Sequence, residues 1–119
     1  MIGIDIVEIR RIAAAIRNRR FVARVFHPAE IAYCEARKNR AQHYAARFAA
    51  KEAVWKALEG RRALALRDIV VEPSENGKPE IRLPASACTR LRVEVSLSHT
   101  ATYAAAVALV SRSRNRRHV

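Results

Sequence analysis

The chain has only two aspartates, and one of them stands in a costly place. Asp5 lies between Ile4 and Ile6, where an ionised carboxylate must be paired, bound to a metal, or left facing water at a strand edge. A second carboxylate, Glu52, has Lys56 four residues after it. On a helix that spacing makes a surface ion pair worth about 0.2–0.5 kcal/mol. The Ala, Phe and Trp residues around Glu52 point instead to a helix packed on several faces. Together Asp5 and Glu52 could hold one Mg²⁺, which takes one or two carboxylates and completes its shell with water and phosphate oxygens. Lys56 and Arg47 would then neutralise phosphate charge. His99, in Ser98-His99-Thr100, suits a phosphate or ribose contact, or caps a turn. A Ser-His hydrolase site has no nucleophile elbow to support it. The sequence has no Walker loop, dinucleotide fingerprint or zinc spacing, and three glycines leave no glycine-rich phosphate loop.

These residues need elements to carry them. Residues 2–7 read as a β-branched strand. Ile9, Ile12, Ala13 and Ile16 form one apolar helical stripe, with Arg10, Arg11 and Arg17 off it and Arg19 and Arg20 at its end. Residues 21–26 read as a connector carrying packing residues. His27 and Pro28 open a helix running to about residue 38. Residues 41–58, free of Gly and Pro, form the longest helix, ended by Gly60. Residues 68–73 and 80–83 read as a hairpin around Asn76-Gly77-Lys78-Pro79. Residues 93–98 and 102–111 read as an antiparallel pair. Helices are segregated from strands, so the class is α+β.

At 119 residues the chain suits one domain, over residues 1–111, followed by a basic tail at 112–119. Half the residues are hydrophobic, which excludes global disorder. Many of these are alanine, so the core is finely grained. No signal peptide or membrane-length run is visible, and Cys34 and Cys88 lack disulfide-scaffold or metal spacing. The expected location is cytoplasmic, with free thiols. Lys and Arg total 23 against 11 Asp and Glu, a net charge of +12, and nineteen of the basic residues are arginine. The partner is therefore anionic: nucleic acid, a phosphorylated small molecule or an acidic protein.

Four segments occur in order: Gly3-Ile4-Asp5-Ile6-Val7-Glu8; Arg47-Phe48-Ala49-Ala50-Lys51-Glu52-Ala53 with Lys56-Ala57; Asn76-Gly77-Lys78-Pro79; and Ser96-Leu97-Ser98-His99-Thr100 with Tyr103-Ala104. With these segments the chain closely resembles the holo-acyl-carrier-protein synthases, the small trimeric 4′-phosphopantetheinyl transferases, over residues 2–110. The resemblance implies a transferase fold with an antiparallel sheet packed on a long central helix. It implies Mg²⁺-dependent transfer of phosphopantetheine from coenzyme A to a serine of apo acyl carrier protein, releasing adenosine 3′,5′-bisphosphate. Asp5 and Glu52 match the metal ligands, and Lys56 matches the lysine near the pyrophosphate, completing the catalytic set. Arg47, Lys56, Gly77, Lys78, Pro79, His99 and Thr100 match the coenzyme A site. Arg11, Arg17, Arg20 and Phe21 fall where the acidic carrier docks. The serine proton goes to Glu52 or to a metal-oriented water.

Two departures stand out. Residues 58–62 replace the family's glycine-rich turn. His27 replaces a Thr or Ser helix cap, which implies a weaker cap. The competing reading is a basic nucleic-acid-binding module resting on the net charge and the arginine tail. A third is an inactive homologue serving as an interaction protein, against which the Asp5, Glu52 and Lys56 set argues.

Overall fold

The N-terminal apolar run forms strand β1 (Ile2–Glu8), and its pleat puts the bulky residues on the outside. Ile2, Ile4 and Ile6 are 70%, 68% and 65% exposed, while Gly3, Asp5 and Val7 turn inward. The same division marks β5 (Tyr103–Arg112): Ala104, Ala106, Ala108 and Val110 are buried, whereas Tyr103, Val107 and Leu109 face out. β5 is the centre of a three-stranded antiparallel sheet in the order β1-β5-β4, with β4 spanning Leu91–His99. In its register Ile2 pairs with Leu109, Asp5 with Ala106, and Leu97 with Ala106. This is a computed structural model describing residues 1–59, 64–73, 76–85 and 90–112.

The inward face is built from small residues because a helix lies close against it. That helix, α4 (Arg40–Ala57), offers its own buried alanines, Ala49, Ala50, Ala53 and Ala57. The closest approach is at Gly3. A Cβ there would stand 2.0 Å from the Ala53 carbonyl oxygen and 2.7 Å from the Ala57 nitrogen. Only glycine lets β1 lie this close to the helix.

Three short helices precede α4: α1 (Ile9–Ala15), α2 (Arg19–Val25) and α3 (Pro28–Glu35). The expected connector at 21–26 is therefore mostly helix. Its start is fixed by Asn18, whose side-chain oxygen accepts from the backbone N–H groups of Arg20 and Phe21. The 3.6-residue spacing of Phe21, Val22 and Val25 is too short a run to have declared it. The weak cap expected at His27 is also corrected. His27 Nδ1 accepts from Ala29 N at 3.0 Å, and Glu30 Oε1 accepts from His27 N at 2.9 Å, a reciprocal box. Behind these helices, a second core cluster gathers Ile12, Val22, Phe26 and Tyr44, with the Phe26 and Tyr44 rings edge to face at 4.9 Å.

Strands β2 (Val70–Pro73) and β3 (Pro79–Arg82) form a separate two-stranded hairpin after a 3-10 turn at Leu66–Asp68. The antiparallel strands are thus divided between two sheets. Gly77 has φ +80° in the hairpin turn, the left-handed conformation the Asn-Gly pair predicted. The expected helix stop at Gly60, Cys88, and residues 113–119 of the expected tail lie outside the described residues. Arg112, assigned to that tail, closes β5 instead.

Candidate active site

Helix α4 carries two groups of candidate residues on different sides. Glu52 and Lys56 are one turn apart and share a face. Arg47, five residues before Glu52, is rotated from it by about 140°. The two groups therefore look onto different neighbours.

The first group gathers Asp5, Glu52 and Lys56. Lys56 does not spend its charge along its own helix. Its Nζ bonds Asp5 Oδ1 at 2.9 Å and the Ile4 carbonyl at 3.1 Å, so it crosses to β1. Asp5 is pinned by one oxygen only. Its Oδ2 is buried, and among the described residues no donor reaches it. Such an orphaned carboxylate oxygen needs a cation or a proton. Glu52 is half-buried beside it, and its carboxyl is pushed above the usual range, first by burial and then by the Asp5 charge, with Lys56 opposing. Two neighbouring carboxylates, one of them with a buried, unpartnered oxygen, fit a hard divalent cation. Among the described residues no trio of His, Cys, Asp or Glu gathers as a softer metal would need.

The second group surrounds Arg47. This guanidinium is 7% exposed and lies 3.9 Å over the Tyr33 ring, which Arg37 covers at 3.3 Å. Arg47 Nη1 donates to the His43 carbonyl at 3.3 Å, and its buried Nε has no acceptor among the described residues. His43 is pushed below its ordinary value by burial and then by Arg47, Arg37 and His99. His99 ends β4, with its ring 2.9 Å from Gln42 Nε2. Arg47, Gln42, His99, Gly77 and Pro79 border one cavity of about 190 Å³. The 77–79 turn separates it from a larger hollow of about 590 Å³ that Lys78, Ser96 and Leu97 also line. Thr100 does not face either cavity: its hydroxyl accepts from Thr102 N and Tyr103 N. The turn after β4 is thus capped by Thr100, not His99.

A family model described as the 4′-phosphopantetheinyl transferase superfamily matches residues 1–108. The chain belongs to that superfamily. Among its relatives, a holo-[acyl-carrier-protein] synthase of Moorella thermoacetica is 48% identical, covering 93% of each chain. The synthase of Anaeromyxobacter sp. strain K is 44% identical, covering 92% of this chain and 93% of its own. The crystal structure of Helicobacter pylori holo-[acyl-carrier-protein] synthase in complex with coenzyme A superposes with a TM-score of 0.83 at 35% identity, over 93% of this chain and all of that one. The transferase fold, α+β with the antiparallel sheet on α4, is therefore as expected. The residues that sequence reasoning missed are Tyr33, Gln42 and His43 around Arg47, and Glu30. His43 lies four residues before Arg47 in the longest helix, a spacing that could have found it.

On the remaining surface, Arg11, Arg17 and Arg20 are exposed on and between α1 and α2. Phe21 is half-buried, 6.2 Å from the Phe48 ring. With Glu8, Arg11 and Tyr103, these two rings border a hollow of about 420 Å³ at the foot of β1.

Proposed function

We propose that this transferase moves the 4′-phosphopantetheine of coenzyme A onto a serine of apo acyl carrier protein, with Asp5 and Glu52 holding Mg²⁺. The buried, unpartnered Oδ2 of Asp5 beside Glu52 carries that reading. Attack by the serine oxygen forms a new O–P bond and breaks the bond to adenosine 3′,5′-bisphosphate. Bound there, Mg²⁺ would supply charge neutralisation to the phosphate oxygens. Lys56 is held beside the pair by Asp5 and the Ile4 carbonyl, and adds a fixed cation for the departing phosphate. Arg47, His99, Gly77, Lys78 and Pro79 form the coenzyme wall. Thr100 contributes by fixing the turn that follows His99.

The coenzyme wall and the carboxylate pair look away from one another across α4, so one chain offers half of each of two sites. A second observation bears on this. The outer face of the sheet leaves Ile2, Ile4, Ile6, Val107 and Leu109 exposed side by side. A patch of this kind marks an interface. Copies of the chain, three as the family resemblance implies, would cover it and bring one copy's coenzyme wall to the next copy's carboxylates. Ile4→Glu should therefore yield monomers by light scattering and lose nearly all transfer. A monomer with full activity would refute the shared site.

The arginines of α1 and α2 follow directly from the strand that holds Asp5, which suits them to receive an acidic carrier. Arg11→Glu should raise KM for the carrier by about tenfold, with KM for coenzyme A unchanged. An unchanged carrier KM would move the docking surface elsewhere. Cys34 is buried, and burial pushes its thiol up to about 11, so it serves the core and not the chemistry. No helix among the described residues is long and apolar enough to cross a membrane. The nucleic-acid alternative rests on the net charge and the arginine tail, and the relatives named above lend it no support.

The deciding experiment is intact-mass spectrometry of apo acyl carrier protein with this chain, coenzyme A and Mg²⁺. Gain of one phosphopantetheine, abolished by EDTA, is the expected result. No gain from a folded sample with several carriers would reject the reading.

A further inference from the structure

Among the described residues, the most heavily bonded polar group in the interior makes no hydrogen bond to a candidate catalytic residue. Lys51 and Glu30 are 0% and 1% exposed, and their charged ends meet at 2.6 Å. Lys51 Nζ also donates to the Leu66 carbonyl at 2.9 Å and the Ile69 carbonyl at 2.5 Å. Glu30 Oε1 accepts from His27 N, and its Oε2 accepts from Val71 N at 2.8 Å. One ion pair thus ties together the start of α3, the middle of α4, the 3-10 turn and the first residues of β2.

Such a pair is a poor way to gain stability. Removing two charges from water costs several kcal/mol, and apolar replacements of similar volume are often neutral or better. What the pair provides is position. Each charge is satisfied only when four separate backbone segments stand at set distances. Val71 pairs with Ile81 in the hairpin whose turn carries Gly77, Lys78 and Pro79. Val71 and Pro73 border the same cavity as Arg47, Gly77 and His99. Arg47 is one helical turn before Lys51, on the same side of α4. Both walls of that cavity are therefore anchored to the pair, one through α4 and the other through Val71.

We propose that the pair of Lys51 and Glu30 is a positioning device for coenzyme A. It fixes the β2-β3 hairpin against α4, so that the 77–79 turn stands at the right distance from Arg47 and His99. The inference rests on the coenzyme wall assigned above. The carboxylate pair is set independently, by β1 lying on the opposite side of α4 at Gly3. The two positions therefore separate in kinetics.

The test uses the full chain with two changes, the double variant Glu30→Leu with Lys51→Met and the single variant Glu30→Gln. The double variant replaces the pair with apolar side chains and guards against leaving one buried charge alone. The expected result is a rise of about tenfold in KM for coenzyme A, with kcat at saturating coenzyme within about threefold of wild type. Calorimetry in EDTA should show the same loss of coenzyme A affinity, and the Val71 amide should exchange faster with deuterium. A merely structural role would lower the melting temperature and leave coenzyme affinity unchanged, and that result would overturn the proposal. Glu30→Gln supplies the same comparison if the double variant does not fold. A wild-type chain that binds no coenzyme A would overturn the functional reading and this inference together. Wild-type binding matched by both variants would overturn this inference alone.

Discussion

Glu52→Gln should leave the chain folded, with a melting temperature at or above that of the wild type, and lower transfer by about three orders of magnitude. The two halves of this result have one cause. Burial and the neighbouring Asp5 charge push the Glu52 carboxyl upward, so the folded chain holds its proton more tightly than the unfolded chain does. For a raised acid, stability is fully present below the ordinary carboxyl value and declines as pH rises through the higher folded value. Glutamine keeps the shape without that penalty. Scans of melting temperature against pH, in EDTA, should show the variant gaining on the wild type as pH rises above the ordinary carboxyl range. Mg²⁺ should stabilise the wild type and leave the variant unmoved. A variant that transfers phosphopantetheine at the wild-type rate would remove Glu52 from the metal site.

Gly3→Ala should be as damaging as loss of a catalytic group, although it adds one methyl. The added Cβ meets the Ala53 carbonyl oxygen at 2.0 Å and the Ala57 nitrogen at 2.7 Å. Both are backbone atoms, so no side chain can turn aside. Strand and helix must part, at a cost of at least about 3 kcal/mol, or roughly 10 °C in melting temperature for a chain of this size. Parting them also carries Asp5 away from Lys56 and Glu52. A shift of about 1 Å is enough to lower transfer by about a hundredfold. Shrinking Ala53 to glycine should not rescue the variant, because the contact is with its carbonyl. Rescue by Ala53→Gly, or a melting temperature within a degree or two of the wild type, would contradict this account.

Much of this was legible in advance. Asp5 stands out because a charge in an Ile-rich strand needs an explanation, and Glu52 and Lys56 share a helix face by spacing alone. The hairpin follows from Asn76 and Gly77, and the structure gives that glycine the positive φ it implies. Three features were hidden for physical reasons. Helix α2 is seven residues long, and its start depends on a side-chain oxygen from Asn18 rather than on any periodic pattern. The partner of Lys56 depends on tertiary approach. Sequence spacing offered Glu52, but β1 lies close enough for Asp5 and the Ile4 carbonyl to take the ammonium instead. Lys51 was equally opaque. Beside Glu52 in a run of alanines it reads as an ordinary helical lysine, and only the fold shows that its end is buried against Glu30.

The pairing of β1 with β5 sets the order in which the enzyme can come into being. Ile2 lies opposite Leu109, and Asp5 lies opposite Ala106. The strand bearing the first carboxylate leaves the ribosome well before its hydrogen-bonding partner, with α1 to β4 made in between. Contacts so distant along the chain form slowly, because a long loop must close before they repay its entropy. A nascent chain that ends before Tyr103 already holds Glu52 and Lys56 on α4, but has no central strand against which to seat Asp5. Its small-residue face and its row of isoleucines both remain open to misplaced partners during that interval. The proposed site is thus assembled late: Asp5 waits until everything from α1 to β4 has been made and β5 has emerged before it acquires a use.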